Sequence, residues 1–250
     1  MNQLAQTRPR SVTEIIDASF RFYRARFGDL MVVSALLLVP PVLLSNLAPR
    51  RLGLPMLAVG GLMYLAGQGA IAILVAASVE QNQSLSAGVA LRRIGGRWGN
   101  VVLVAIVSAL LTTLGFLALV IPGFIALAWT ATAVPSAAIE ELSIWDALER
   151  SRALARGRVG HVLGTLSLVW LILAVLFFGL MFVITTVILM GSTRSVLFVF
   201  ALLMRLLQVP VFPLIGVVST LLYYDLRVRS EGADVAAMIE ALPVPPGEPA

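Results

Sequence analysis

The side chains able to do hydrolytic or acid–base chemistry are few and scattered. The 250 residues hold one histidine, His161, thirteen acidic residues and no cysteine. Hydrolysis of a phosphodiester or ester calls for carboxylates and imidazoles converging on a metal and an activated water, or for a nucleophile beside a base. Glu14, Asp17, Asp29, Glu80, Glu140, Glu141, Asp146, Glu149 and Asp225 stand at the ends of apolar runs instead, and four more acids fall at the C-terminus. Glu140-Glu141 is the most suggestive pair. It fits either a cation or proton site near His161 or a solvated helix end before a cap at Ser143. The second reading is favoured, because adjacent helical residues point about 100° apart and form no dyad. His161 is the one imidazole and so a candidate acid–base group, yet at the first turn of an apolar run it reads as an interfacial polar residue. No serine has an identifiable base. Gly60-Gly61 and Gly67-Gln68-Gly69 lack the Lys and Ser/Thr of a phosphate loop; like Ala66/Ala70 and Ala72/Ala76, they suit close helix packing. Without cysteine, thiolate zinc sites and iron–sulfur clusters are excluded. The sequence therefore predicts no enzyme, no catalytic or metal-binding residue and no cofactor.

The basic residues carry the stronger signal. All eighteen are arginine, giving a net charge of +5. A nucleic-acid-binding chain clusters such residues on a soluble face, whereas here they flank apolar stretches, the pattern of cytoplasmic membrane anchors. The chain is 59% hydrophobic and only 12% charged, against about 25% charged in soluble domains. Apolar surface on this scale needs lipid around it.

A bilayer core about 30 Å thick needs about 20 apolar residues in a helix. Windows free of Asp, Glu and Arg predict six spans, at about 30–48, 56–79, 98–120, 123–139, 162–190 and 206–224, with Ile121-Pro122-Gly123 as the turn between the third and fourth. The fifth is long enough to bend near Gly179. Residues 195–204 are too short for a span and are expected to lie as a surface helix on the outer side, or to extend span six. The expected fold is all-α: a polytopic integral membrane bundle in one domain, 11–234, between an N-terminal tail (1–10) and a proline-rich, disordered C-terminal tail (235–250). No cleavable signal peptide is expected before the first apolar run at Leu30. Fourteen arginines fall on one side of this arrangement and only Arg50, Arg51, Arg194 and Arg205 on the other, so both termini are expected in the cytoplasm of a bacterial inner membrane.

The cytoplasmic segments have helical periodicity of their own. In 11–27, Val12, Ile15, Ile16, Ser19, Phe20, Tyr23 and Phe27 share one face and Glu14, Asp17, Arg21 and Arg24 the other. Ser11-Val-Thr-Glu14 forms a capping box. Further interfacial helices are expected at about 84–96 and 143–156. They belong to a repeat: Ser143-Ile-Trp-Asp146 matches Ser11-Val-Thr-Glu14, and Arg26-Phe27-Gly28-Asp29, Arg97-Trp98-Gly99-Asn100 and Arg158-Val159-Gly160-His161 match one another. Three units follow, each an interfacial helix, an Arg-x-Gly corner and a pair of spans.

Arg8-Pro-Arg-Ser-Val-Thr-Glu-Ile-Ile-Asp-Ala-Ser-Phe-Arg-Phe-Tyr-Arg-Ala-Arg-Phe27, Ile121-Pro-Gly123, Asp146-Ala-Leu-Glu-Arg-Ser-Arg-Ala-Leu-Ala-Arg-Gly157 and Leu222-Tyr-Tyr-Asp-Leu-Arg-Val-Arg-Ser-Glu-Gly232 resemble the bacterial glycerophosphoryl diester phosphodiesterase membrane-domain family. The resemblance covers Arg8 to about Asp234. It implies a six-span module, which in that family is sometimes fused to a soluble phosphodiesterase barrel. This length has no room for the barrel, so the resemblance implies no hydrolytic activity here.

Two functions follow. The favoured one is a non-catalytic membrane protein whose cytoplasmic helices engage anionic lipids or a protein partner, not nucleic acid. Arg26, Arg97 and Arg158 at the corners, which lack an i,i+3 or i,i+4 partner, and Arg24 and Arg156 beside them are the candidate headgroup contacts. The alternative is a small transporter or lipid flippase, in which Gln68, Trp129, Thr130 and Thr132 line a polar cavity.

Overall fold

The structure, a computed structural model, describes residues 9–47, 50–80, 85–189 and 194–240. Among these it holds ten helices and no strand: α1 (Val12–Ala25), α2 (Phe27–Leu47), α3 (Arg50–Glu80), α4 (Ala87–Gly95), α5 (Trp98–Ala118), α6 (Val120–Thr130), α7 (Ala133–Ile139), α8 (Ile144–Ala155), α9 (Val159–Leu189) and α10 (Arg194–Glu240). Five stretches are long and apolar enough to cross a membrane: Ala58–Glu80, Trp98–Ala118, Val120–Ile139, Val159–Thr186 and Val209–Gly232. This is the build of a multi-pass membrane protein. The first expected span lies in α2, whose apolar stretch Phe27–Pro41 is shorter than the other five.

The chain runs three times through a short helix, a corner and a long helix: α1 into α2, α4 into α5, α8 into α9. The expected start of the second short helix, at 84, lies outside the described residues. The long helices that close each unit pack inside. α3, α7 and α10 contact one another, whereas α2, α5 and α9 stand outside them. The difference shows in burial: 67% of the apolar stretch is buried in both α3 and α10, against 22% in α5 and 11% in α9. In lipid the apolar side chains of α5 and α9 gain little by packing on protein, so the inner helices are held by close fit between small residues. Ala70 to Ser78 of α3 is buried without interruption. At Gly216 of α10, a Cβ would come within 2.5 Å of Gln68 Oε1 and 2.9 Å of Ile71 Cγ2.

Two breaks have local causes. The turn between α5 and α6 is at Leu119, extended at φ −166°, and not at Ile121-Pro122-Gly123. Pro122 sits in the first turn of α6, where its missing N–H leaves no bond unmade, and Gly123 lets the hairpin close, its Cα 3.0 Å from where a Cβ on Gly115 would stand. The fourth expected span divides into α6 and α7 because Pro135 removes a helical donor and its ring crowds the carbonyl four residues back, at Ala131. Two expectations are corrected. Residues 195–204 do not form a separate surface helix; α10 runs unbroken through them from Arg194. It also stays helical to Glu240, past the expected start of the tail at 235, and residues 241–250 lie outside the described residues.

If close fit holds α3 to α10, Gly216→Ala will destabilise the purified protein by about 1–3 kcal/mol through overpacking. Gly179→Ala, where a Cβ meets nothing within 4 Å, will leave thermal unfolding unchanged or slightly later. Equal midpoints for the two variants would refute close fit at this contact.

Candidate functional site

The polar side chains gather at the end of the bundle where α1, α4 and α8 turn into the long helices. The three corners share one backbone bond, although one residue separates α1 from α2, two separate α4 from α5, and three, with Gly157 at φ 72°, separate α8 from α9. The corner arginine's carbonyl accepts the first bond of the following helix, from Leu30 to Arg26, Val101 to Arg97 and Val162 to Arg158, at 3.1 Å each time. Leu30, Val101 and Val162 are all wholly buried.

The side chains at each corner then reach the joint with the next unit. In unit one, Arg26 pairs with Asp29 at 3.1 Å and donates to the Leu85 carbonyl. Asp29 Oδ1 accepts the Ala87 N–H at 3.0 Å, at the first turn of α4. In unit two, Arg97 pairs with Glu141, and Asn100 Nδ2 donates to the Leu142 carbonyl at 2.7 Å, just before the Ser143 cap of α8. In unit three, Arg158 Nη2 donates to the Arg229 carbonyl at 2.8 Å, and His161 Nε2 lies 2.9 Å from Asp225 Oδ2. Asp225 and Arg229 belong to α10, and together they hold Arg10, just before the Ser11 cap of α1. Asp225 Oδ1 accepts the Arg10 N–H at 2.6 Å, and Arg229 Nη2 donates to the Arg10 carbonyl at 2.6 Å. The three corners thus form a closed ring.

Asp225 is the most constrained of these groups. Its side chain is fully buried, and besides Arg10 and His161 it accepts from Arg229 Nε at 2.7 Å. A buried carboxylate is tolerable only when such donors replace water. One helical turn around it, α10 makes a second network. Tyr223 donates to Glu140 Oε1 at 2.5 Å and Tyr224 to Glu80 Oε1 at 2.8 Å. Arg150 of α8 bridges Glu140 at 3.0 Å and Glu231 at 3.2 Å. Burial works against the Arg150 charge, but the hydrogen bond and charge of Glu140 and the hydrogen bond of Glu231 outweigh it and hold the guanidinium above its ordinary value. Glu140 is therefore a junction and not the solvated helix end expected of it. Glu141 does the turning, in the left-handed region at φ 61°.

Helix α1 forms over the expected residues with its capping box intact. It buries Ile15, Ile16, Ala18, Ser19 and Phe22; Phe27, expected on that face, is about half exposed. Phe22 was not expected there. Of the five arginines expected at headgroups, Arg26, Arg97 and Arg158 have the protein partners just described, so the expectation that no local partner exists fails at Arg26. Arg24 and Arg156 are exposed. The residues of the expected polar cavity are not brought together. Thr132 Oγ1 lies 2.9 Å from Ser151 Oγ in the α7–α8 contact, Gln68 packs toward Gly216, and Trp129 and Thr130 face a groove beside α8. Among the described residues no three His, Cys, Asp or Glu side chains are grouped to hold a metal ion. No family model matches the chain, nor does any curated protein or solved structure.

Asp225→Asn leaves Arg229 and the Arg10 segment without their anion, and removing one partner of a buried ion pair costs about 3–5 kcal/mol. The variant will unfold earlier by that measure, and trypsin will cut faster after Arg10. Glu231→Gln, at a half-exposed position, will cost under about 1 kcal/mol. Similar losses in both variants would deny the buried carboxylate its special place.

Proposed function

We propose that this chain is a non-catalytic, six-span protein of a bacterial cytoplasmic membrane, whose arginine-rich face engages the anionic headgroups of the lipids around it. The observation that carries this reading is the placement of Arg21 and Arg24 on α1, Arg92 and Arg93 on α4, and Arg152 and Arg156 on α8: all six are exposed, on three short helices that the ring of corners holds at one end of the bundle. Asp17, Asp146 and Glu149 are exposed on the same helices, so the face is not uniformly basic, but its arginines are in excess. An arginine near an anionic leaflet contributes about 1 kcal/mol, and its fork suits phosphate oxygens. α2 supplies the sixth span, because the whole helix, Phe27–Leu47, counts 21 residues and about 20 suffice. The arginine bias sets this face inside the cell, with both termini. The motif resemblance to the glycerophosphoryl diester phosphodiesterase membrane-domain family fits the same six-span plan. The three short helices, apolar on the bundle side and charged on the other, lie in the interface.

The topology has a direct test, since there is no native cysteine. Ser86→Cys and Ser230→Cys will react with an impermeant maleimide only in opened cells, and Ser45→Cys and Ser192→Cys in intact ones; the reverse pattern would overturn the orientation. For the lipid contact, the full chain is reconstituted in phosphatidylcholine with a trace of spin-labelled lipid. Labelled phosphatidylglycerol will be enriched several-fold over labelled phosphatidylcholine at the protein surface. Replacing Arg21, Arg24, Arg92 and Arg93 with Gln will reduce that enrichment, and replacing Arg50 and Arg51 will not. Equal enrichment of the two lipids around the unmodified chain would overturn the reading.

A further inference from the structure

The three units present the same groove three times, between a short helix and the long helices of the preceding unit, and one residue decides what fills it. Six positions before the corner arginine stand Phe20, Leu91 and Arg152. Phe20 packs into the apolar cluster of Ile16, Val169, Leu214 and Val218. Leu91 lines an apolar groove with Leu37, Leu62 and Met63. At the third position a cation replaces the apolar side chain, and the groove is about 620 Å³. Arg152 stacks over the Trp129 ring, 4.5 Å from its centroid. Arg156, one turn on, lines the same groove.

From this divergence we infer that the α5–α6–α8 groove is a binding site for one anionic phospholipid, its phosphate held by Arg152 and Arg156. The inference rests on the lipid-engaging reading above and gives it one site. Three features select this occupant. The two cations stand on α8, one of the short helices that the reading above sets at the headgroups. The walls, Leu111, Ala126, Trp129 and Leu148, are apolar, and Leu114 and Leu117 continue the exposed apolar surface along α5, a track for an acyl chain. Trp145, 72% exposed, closes the rim with the kind of side chain that prefers the headgroup boundary. Glu149 also lines the groove; against two arginines it leaves a net positive charge. Thr130 Oγ1 is 3.1 Å from Thr112 Oγ1 and 2.9 Å from the Ala126 carbonyl, so the polar atoms deeper in the groove are already satisfied and the charge at its mouth sets the specificity. A soluble phosphate ester would use the same two guanidinium groups but would leave the apolar track empty.

The test uses the full chain in detergent micelles, titrated with phosphatidylglycerol, phosphatidylcholine or glycerol 3-phosphate, with bound lipid counted by native mass spectrometry. One phosphatidylglycerol will bind at least about tenfold more tightly than phosphatidylcholine. Arg152→Gln and Arg156→Gln will each weaken that step about fivefold; Arg50→Gln with Arg51→Gln will not. Glycerol 3-phosphate will not displace the lipid. Arg156 is exposed at the end of α8, so its variant keeps the test sound if the loss of Arg152 from Trp129 disturbs folding. Unchanged phosphatidylglycerol binding in a folded Arg156→Gln variant and in the double variant would overturn the groove while leaving lipid engagement by the rest of the face intact. No preference for phosphatidylglycerol in the unmodified chain would overturn both. Displacement by glycerol 3-phosphate would overturn the lipid in favour of a soluble ester.

Discussion

A ring of three repeated units in a single chain has one joint without a peptide bond, and the Asp225 carboxylate sits there. Between units one and two, α3 leads by covalent chain into α4; between two and three, α7 leads into α8. Unit three ends in α10 and unit one begins at Arg10, far away in sequence. The structure closes that joint with hydrogen bonds from both ends, the Arg10 N–H onto Asp225 and Arg229 onto the Arg10 carbonyl. An edge-of-membrane carboxylate with free access to water would make a weak clasp, because water competes for every lone pair. Burial removes that competition, and three donors compensate for the lost hydration. The energy of the clasp therefore depends on all its members together, and it adds to the buried face of Ile15, Ala18 and Phe22 in holding α1 on the bundle.

The rest of the packing follows from what that ring encloses. With α1, α4 and α8 fixed at one end, the second long helix of each unit is drawn to the centre and the first is left facing lipid. The large apolar residues of α5 and α9, among them Leu117, Phe178 and Phe182, are largely exposed, which would be untenable in water and is neutral in hydrocarbon. The centre has the opposite composition. α3 and α10 approach closely at Gly216, against Gln68 and Ile71, and at Gly67, against Phe212, and the tyrosines of α10, Tyr223 and Tyr224, are held at the polar end, where their hydroxyls find Glu140 and Glu80. Tyr23 of α1 likewise reaches a carbonyl, that of Pro210, at 2.7 Å, in the stretch of α10 where Pro213 interrupts the helical ladder.

Helix positions, the caps at Ser11 and Ser143 and the three Arg-x-Gly corners were legible in the sequence because each is a local pattern of apolar period, cap residue and glycine. The residue three after each corner arginine was aligned there too, as Asp29, Asn100 and His161, but what it does could not be read. An aspartate accepting an amide, an asparagine donating to a carbonyl and a histidine meeting a carboxylate share no chemistry; they share only that each partner lies at the joint with the next unit, far away in sequence. The same limit hid Asp225. Its position at the end of an apolar run looked like that of Glu80 or Glu140, and nothing near it in sequence shows that Arg10, His161 and Arg229 converge on it. Glu140 looked solvated for the same reason, since Tyr223 lies 83 residues away. Ile121-Pro122-Gly123 reads as a turn in the sequence, but Pro122 belongs to the first turn of α6, so the break falls three residues before the proline, at Leu119.

Nine of the eighteen arginines fall into two sets by this geometry, and the division bears on how charge in such a chain should be read. The corner set, Arg26, Arg97 and Arg158, is spent on carbonyls and carboxylates of the protein, so it holds the units together and would be kept whatever the lipid. The helix set, Arg21, Arg24, Arg92, Arg93, Arg152 and Arg156, is exposed, and within it the units differ. Position six before the corner is Phe20 in unit one, Leu91 in unit two and Arg152 in unit three; each short helix leads into an arginine corner, and the third alone turns through Gly157, at φ 72°. A ring that needed only to close would gain nothing by replacing an apolar side chain with a guanidinium stacked on Trp129. Where a repeated frame is held constant and one copy alone changes the chemistry of a groove, the frame answers to folding and the changed groove answers to what it meets.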